Sequence, residues 1–310
     1  MDRDSFLERL ASLRETRARL PELVRNRHAS RRRRSVAGHS GRLVLIEADA
    51  PAAGSLAAGH DPAALADRGL LLWRLCQALQ APGVDGVIAT ADIVDDLLLL
   101  EQIEDRLVLG SMNRGGLAGS AFELDDRFTG YDADSIAASH LDGGKLRLRI
   151  DPSDPTSAAA IEAAGRAVSG LSANGVLALV EPSWCVRSTG GVVEDTSAGA
   201  LMRAVDVASG LGARSPYTWL ALPVVDDLDQ VLAATTLPVL VRGDAEVTTV
   251  EDAAQSWRAA LTAGVRGIVL PVEALYRDDG DDLALVTAAT AVVHAATEAD
   301  SEARRRGGVR

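Results

Sequence analysis

One lysine serves the whole chain. Of the 32 basic residues in the 310-residue sequence, Lys145 is the single lysine and the other 31 are arginine. Chemistry that needs a primary amine, such as imine formation with a carbonyl substrate, has this one candidate. Lys145, Arg147 and Arg149 alternate with Leu146, Leu148 and Ile150. A strand repeats every two residues, so the cations share one face and the aliphatics the other. Three cations on one face need anions, supplied by the chain or by a ligand phosphate or carboxylate. Asp49, Asp92 and Glu181 are the internal candidates. Asp49 and Glu181 also suit acid–base work or hydroxyl binding, and suit capping of a following helix equally well. Asn113, Arg114, Arg147, Arg149 and Arg242 are the expected substrate contacts; Lys145, Asp49 and Glu181 are the expected catalytic residues. A lysine beside Arg147 should have a lowered pKa, which favours nucleophilic use.

The elements that must position these residues recur along the chain. Eight short apolar runs stand at 43–48, 86–89, 107–110, 146–150, 176–180, 218–222, 239–241 and 267–270. Segments of helical periodicity separate most of them, at 62–79, 157–171, 197–209, 226–234, 250–263 and 282–297. Apolar strands alternating with helices imply a parallel sheet covered by helices. Eight such repeats fit an α/β fold of one kind, a single (β/α)8 TIM barrel. Chemistry on that fold sits where strands end, and Asp49, Asn113, Arg114, Glu181 and Arg242 all fall there. If the fourth strand begins at Lys145, its backbone lies near the bottom and only its long side chain rises toward the site. Residues 1–41 read as an Arg-rich helical lead-in that closes the bottom of the barrel, 42–300 as the barrel, and 301–310 as a flexible basic tail.

Bulk composition narrows the function. The net charge is −12; residues 1–42 carry +7 and residues 302–310 carry +3, so the body carries −22. A body that acidic repels polyphosphate backbones, which argues against nucleic acid as a partner. The run Arg31-Arg32-Arg33-Arg34 reads as a solvated or ion-paired lead-in against the acidic body. Two cysteines make no disulfide framework, and the polar start and absence of a long apolar run suggest neither a secretion signal nor a membrane span. A cytoplasmic protein acting on a small molecule is expected. The five histidines show no ligand spacing, so no metal is expected, and imine chemistry, which supplies its own electron sink, would demand no organic cofactor. A homo-oligomer is an open expectation for an acidic barrel of this kind.

Longer motifs carry a resemblance. Gly110–Gly119 (Gly-Ser-Met-Asn-Arg-Gly-Gly-Leu-Ala-Gly), Phe122-Glu123, Asp125–Tyr131, Leu141–Lys145, Val180-Glu181-Pro182, Ser215–Val225 and the Thr235–Pro238 stretch are distinctive. In these the chain resembles actinobacterial (β/α)8 proteins related to class I aldolases, a deoxyribose-phosphate aldolase-like group associated with myo-inositol catabolism. More distantly it resembles tagatose-bisphosphate-type aldolases. That resemblance implies a Schiff-base lysine on the sixth strand, where this chain has Ala221. It also implies Asp-His-Pro after the first strand, Gly-Gly after the seventh and Gly-Arg after the eighth. Here these are Asp49-Ala50-Pro51, Arg242-Gly243 and Pro271-Val272. Proline offers no N–H to a phosphate and valine adds bulk.

Three readings follow. The first is a class I aldolase-like carbon–carbon lyase with a rebuilt site, acting on a small phosphorylated or carboxylated sugar-like substrate. The second is a catalytically silent paralogue that binds a sugar phosphate or a partner. The third is an imine-independent enzyme using Asp49 and Glu181.

Overall fold

The computed structural model describes residues 3–36, 41–113, 116–117, 120, 122–188, 191–243, 249–277 and 280–307, without the side chains of 298–307. Its centre is a closed barrel. Strands β1 (Leu43–Ala48), β2 (Gly86–Ala89), β3 (Leu107–Ser111), β4 (Gly143–Ile150) and β5 (Leu177–Ser188) pair in parallel order. After β6 (Gly191–Glu194), which runs antiparallel to the end of β5, β7 (Thr218–Pro223), β8 (Val239–Arg242) and β9 (Gly267–Pro271) return the sheet to β1. The eight parallel strands form the expected (β/α)8 TIM barrel.

Helices α3 (Arg68–Gln80), α4 (Ala91–Leu99), α5 (Ala133–Ala138), α6 (Thr156–Ala173), α7 (Ala198–Ser209), α8 (Leu228–Leu232), α9 (Val250–Ala263) and α10 (Ala284–Gly307) surround them. Their starts are fixed locally. Asp67 accepts the Gly69 and Leu70 amides at the start of α3, Thr249 accepts that of Asp252 at α9, and Asp132 and Ser135 form a capping box on α5. The α10 backbone is helical to Gly307. The helical backbone therefore continues beyond the periodicity at 282–297.

Period-two alternation divides each strand between two cores. Val44, Ile46, Leu146, Leu148, Val180 and Leu220 face the helices, while Leu43, Leu45, Ile88, Leu107, Leu109, Leu177, Leu179, Trp219, Ala221, Leu240 and Val269 fill the barrel. Trp219, within the sixth apolar run, is thus a packing residue. The inward rows change character toward their C-terminal ends. Leu43 and Leu45 are followed two residues later by Glu47, Leu107 and Leu109 by Ser111, Leu177 and Leu179 by Glu181, and Leu240 by Arg242. The barrel is therefore oily below and charged above.

Two strands are longer than their apolar runs. β4 begins at Gly143, where a Cβ would press on the Leu177 carbonyl, and at Gly144 one would meet the Met112 sulfur. Only glycine fits, and the apolar count missed both. Lys145 consequently pairs with Ser111, the last residue of β3, and so lies level with the top of that strand rather than near the bottom. β5 runs past Glu181-Pro182 to Ser188 because the long β4 pairs it as far as Trp184 and β6 pairs the remainder.

The lead-in is α1 (Arg3–Arg19) and α2 (Pro21–Ser30), with Pro21 opening the second helix. These helices do not plug the barrel. Phe6 packs edge-on against Trp73 of α3, and His28 bonds Asp95 of α4 at 2.9 Å, so the pair lies on the flank. The segment after α2 crosses the bottom. Arg31 and Arg33 bind Asp142 (2.8 and 2.7 Å), Arg32 binds Asp105 (2.9 Å), Arg34 binds Asp85 (2.6 Å), and Val36 packs on the barrel's lower apolar layer. The arginine run is the ion-paired clamp expected from the charge asymmetry.

Arg31 is the strongest member. Its side chain has no exposure, and it donates to Asp142 and to the carbonyls of Arg106 (2.9 Å) and His140 (2.7 Å). Arg31→Ala is expected to cost about 3 kcal/mol in urea unfolding, because it strips a buried carboxylate of one partner. A loss below about 1 kcal/mol would show the segment to be a surface strap.

Candidate active site

A cavity of about 210 Å³ opens at the C-terminal ends of the strands. It is lined by Glu47, Asp49, Asn113, Lys145, Arg147, Glu181, Arg242 and Glu273, with Ala50, Ala53, Ser55 and Pro271. At its floor the Lys145 ammonium touches three carboxylates: Glu47 Oε1 at 2.5 Å, Glu181 Oε2 at 2.7 Å and Asp49 Oδ2 at 3.4 Å. Burial alone would lower the lysine pKa, but Asp49, Glu181 and Glu47 outweigh it and hold the group well above its ordinary value. The lowered pKa expected from Arg147 is therefore corrected: Arg147 does oppose the charge, but as the smallest of these influences, since its guanidinium turns to Glu181 and Glu194. The three carboxylates thus favour the charged form of Lys145, and a protonated amine cannot attack a carbonyl.

The acids separate. Burial pushes Glu47 up to about 7, against the pull of Lys145 and with help from Asp49 and Glu181. Burial acts likewise on Glu181, but Lys145, Arg242 and Arg147 overcome it and hold this carboxylate far below its ordinary range. Two neighbouring carboxyls with opposite shifts form a pair in which one keeps its charge and the other exchanges a proton near neutrality. Glu273, also facing the cavity, is raised by burial and by Asp49. Asp49 does not cap the turn that follows it; it accepts from Ser111 Oγ at 2.6 Å and faces the cavity.

The remaining expected residues divide. Arg147 and Arg242 line the cavity and share two glutamates: both approach Glu181 Oε1, and each binds one oxygen of Glu194 (2.8 and 3.1 Å). Asn113 lines it too, but its side chain is engaged by backbone, donating to Asp126 O (2.9 Å) and Arg147 O (2.8 Å) and accepting from Arg147 N (2.8 Å). It positions the loop and β4 instead of presenting free groups. Arg149, expected among the substrate contacts, does not line this cavity: it is buried against Asp126 (2.6 Å) and the Glu123 carbonyl, pinning the loop after β3. Asp92 pairs with Arg68 and takes no part inside the barrel. Arg114 lies outside the described residues.

Glu47 and Glu194 were missed, for different reasons. Glu47 was legible, because period two from Leu43 and Leu45 sends it inward. Glu194 was not, because nothing local marks the hairpin that returns it to Arg147 and Arg242. Among the described residues no three His, Cys, Asp or Glu side chains are disposed to hold a metal, and no helix is long and apolar enough to cross a membrane.

The profile of Cgl0159-like proteins matches residues 41–290, the whole barrel with its charged upper layer. The chain belongs to the Cgl0159-like family. The crystal structure of Cgl0159 from Corynebacterium glutamicum (Brevibacterium flavum) is 42% identical, with a TM-score of 0.89 over 93% of this chain and 97% of that one. An archaeal fructose 1,6-bisphosphate aldolase matches this Cgl0159-like protein at 18% identity and a TM-score of 0.61, over 88% of this chain and 99% of that one. The fructose-bisphosphate aldolase of Slackia heliotrinireducens gives 16% and 0.59, over 84% and 86%. At such identities the likeness is one of fold: the Cgl0159-like barrel is structurally related to class I aldolase barrels. No curated sequence matches the chain.

Proposed function

We propose that this Cgl0159-like protein is an aldolase-like carbon–carbon lyase that works without an imine, on a small hydroxycarbonyl substrate, by acid–base chemistry around a fixed lysine cation. The observation that carries this reading is the contact of Lys145 with Glu47, Asp49 and Glu181 at 2.5–3.4 Å. The resemblance to deoxyribose-phosphate aldolase-like proteins supports a sugar-like substrate. Ala221, where the resemblance expects the Schiff-base lysine, faces the apolar barrel interior with a methyl group that can form no imine.

In the cleavage direction Asp49 accepts the proton of the β-hydroxyl. The carbon–carbon bond breaks, its electron pair passes into the carbonyl, and the hydroxyl carbon leaves as an aldehyde. The Lys145 ammonium exchanges its longest contact, to Asp49 at 3.4 Å, for the enolate oxygen and stabilises the charge that develops there. Glu47, protonated near neutral pH, delivers a proton to the enolate carbon and restores the ketone. Glu181 keeps Lys145 and the two arginines in place.

Borohydride distinguishes the two lysine roles. After incubation with pyruvate or dihydroxyacetone phosphate and reduction, the intact protein should gain no mass. A reduced adduct on Lys145 would restore the imine reading. The silent-paralogue reading has one observation in its favour, since Arg147 and Arg242 are already paired within the chain. Turnover of any β-hydroxycarbonyl sugar or acid by the unmodified protein would end it.

A further inference from the structure

Glu194 takes no part in the proton transfers above, yet its carboxylate lies between two guanidiniums that line the cavity. Arg147 Nη2 binds Oε1 at 2.8 Å and Arg242 Nη2 binds Oε2 at 3.1 Å. One oxygen on each of two guanidiniums is the arrangement by which such a pair would grip a free carboxylate. We propose that Arg147 and Arg242 form the binding site for the carboxylate of the substrate, and that Glu194 is its resident occupant, displaced when substrate binds. This rests on the reading of the cavity as a substrate site.

Three further observations support displacement. Glu194 comes from outside the barrel: it ends β6, whose strand pairing is with the C-terminal extension of β5 alone. Its side chain is 25% exposed, whereas that of Glu181, bound by the same arginines, is 4% exposed and also holds Lys145. Of the two carboxylates, only Glu194 can leave without opening the barrel. Hydrogen bonding does not saturate the clamp: Arg242 Nε–H is buried without an acceptor among the described residues, and Arg147 Nε reaches only Glu181 Oε1, at an ion-pair distance of 3.4 Å. Exchange of one carboxylate for another keeps a single anion between the two guanidiniums.

The same geometry favours a carboxylate over a phosphate. The two guanidinium contacts reach two oxygens of one planar group. β9, after which the resemblance would place backbone amides for a phosphate, ends at Pro271, which has no N–H. The substrate class is therefore a hydroxycarbonyl acid.

An internal occupant weakens apparent affinity by the fraction of protein whose clamp is free. Titration calorimetry with pyruvate should therefore show binding at least about tenfold tighter in Glu194→Ala than in the unmodified protein, with Glu194→Gln between them. Adding Arg242→Gln to Glu194→Ala should abolish the gain. Glu194→Gln keeps the bulk and a hydrogen-bonding oxygen, so it reports even if the alanine variant folds poorly. Unchanged or weaker pyruvate binding in both single variants would make Glu194 a structural brace and overturn the proposal. A gain for inorganic phosphate but not pyruvate would overturn the carboxylate assignment. None of these readings needs turnover, so a failure of the acid–base chemistry would leave them standing, and their failure would leave that chemistry untouched.

Discussion

Replacement of Lys145 by methionine is expected to abolish turnover and to destabilise the fold by about 3–5 kcal/mol at neutral pH. The side chain is buried, and its ammonium is the shared partner of Glu47, Asp49 and Glu181. Methionine fills much the same volume, so the loss reports charge more than packing. The pH dependence separates the two. In the unmodified protein the lysine pKa is raised by folding, so its stabilisation is complete below the unfolded value of about 10.4 and fades only as pH rises through the folded value. In the variant the stranded carboxylates gain raised folded pKa values. Their penalty is absent below the unfolded value of about 4 and grows as pH rises through the folded values. Urea unfolding should therefore show a larger deficit at about pH 8 than at about pH 5. An equal deficit at both would assign the effect to packing.

Glu47→Gln should separate chemistry from stability. The substitution keeps the shape, removes one of three carboxylates crowded on a single ammonium, and leaves Lys145 paired with Glu181 and Asp49. The fold should persist while turnover falls by about 10²–10⁴-fold, the usual worth of a positioned acid or base. In the unmodified protein the cleavage rate should fall as pH rises through about 7, because the active form of Glu47 is the protonated one. Glutamine neither gains nor loses a proton in that range, so the limb should vanish with the activity. A variant that keeps most of its rate, or the same limb, would place the acid elsewhere, with Glu273 the next carboxyl facing the cavity.

The barrel was legible because it is written in short-range patterns. Apolar runs of strand length, separated by helical periodicity, set the strand number, and period two along Lys145–Ile150 set which face turns inward. Strand ends were less legible where the deciding contact is distant. Gly143 and Gly144 belong to β4 because Leu177 and Met112 leave no room for a side chain, a fact held by other segments. The site followed the same division. Lys145, Asp49, Glu181, Arg147 and Arg242 converge as the strand ends required. Arg149, two residues beyond Arg147 on the same face, has passed the cavity and meets Asp126 of the loop after β3. Alternation fixes a direction, but height along the barrel decides what a side chain meets. Adjacent charge also misled for Lys145, where the neighbour in sequence, Arg147, mattered less than carboxylates brought from β1 and β5.

One carboxyl beside the Lys145 ammonium should exchange its proton near neutrality. This exchange can be measured without knowing the substrate, by carbon-13 NMR of protein labelled at the glutamate side-chain carboxyl. One resonance should titrate with a midpoint near 7 and be missing from the Glu47→Gln spectrum. If every glutamate carboxyl titrates below about 5, as ordinary ones do, or if the resonance near 7 survives Glu47→Gln, the assignment of the acid is wrong.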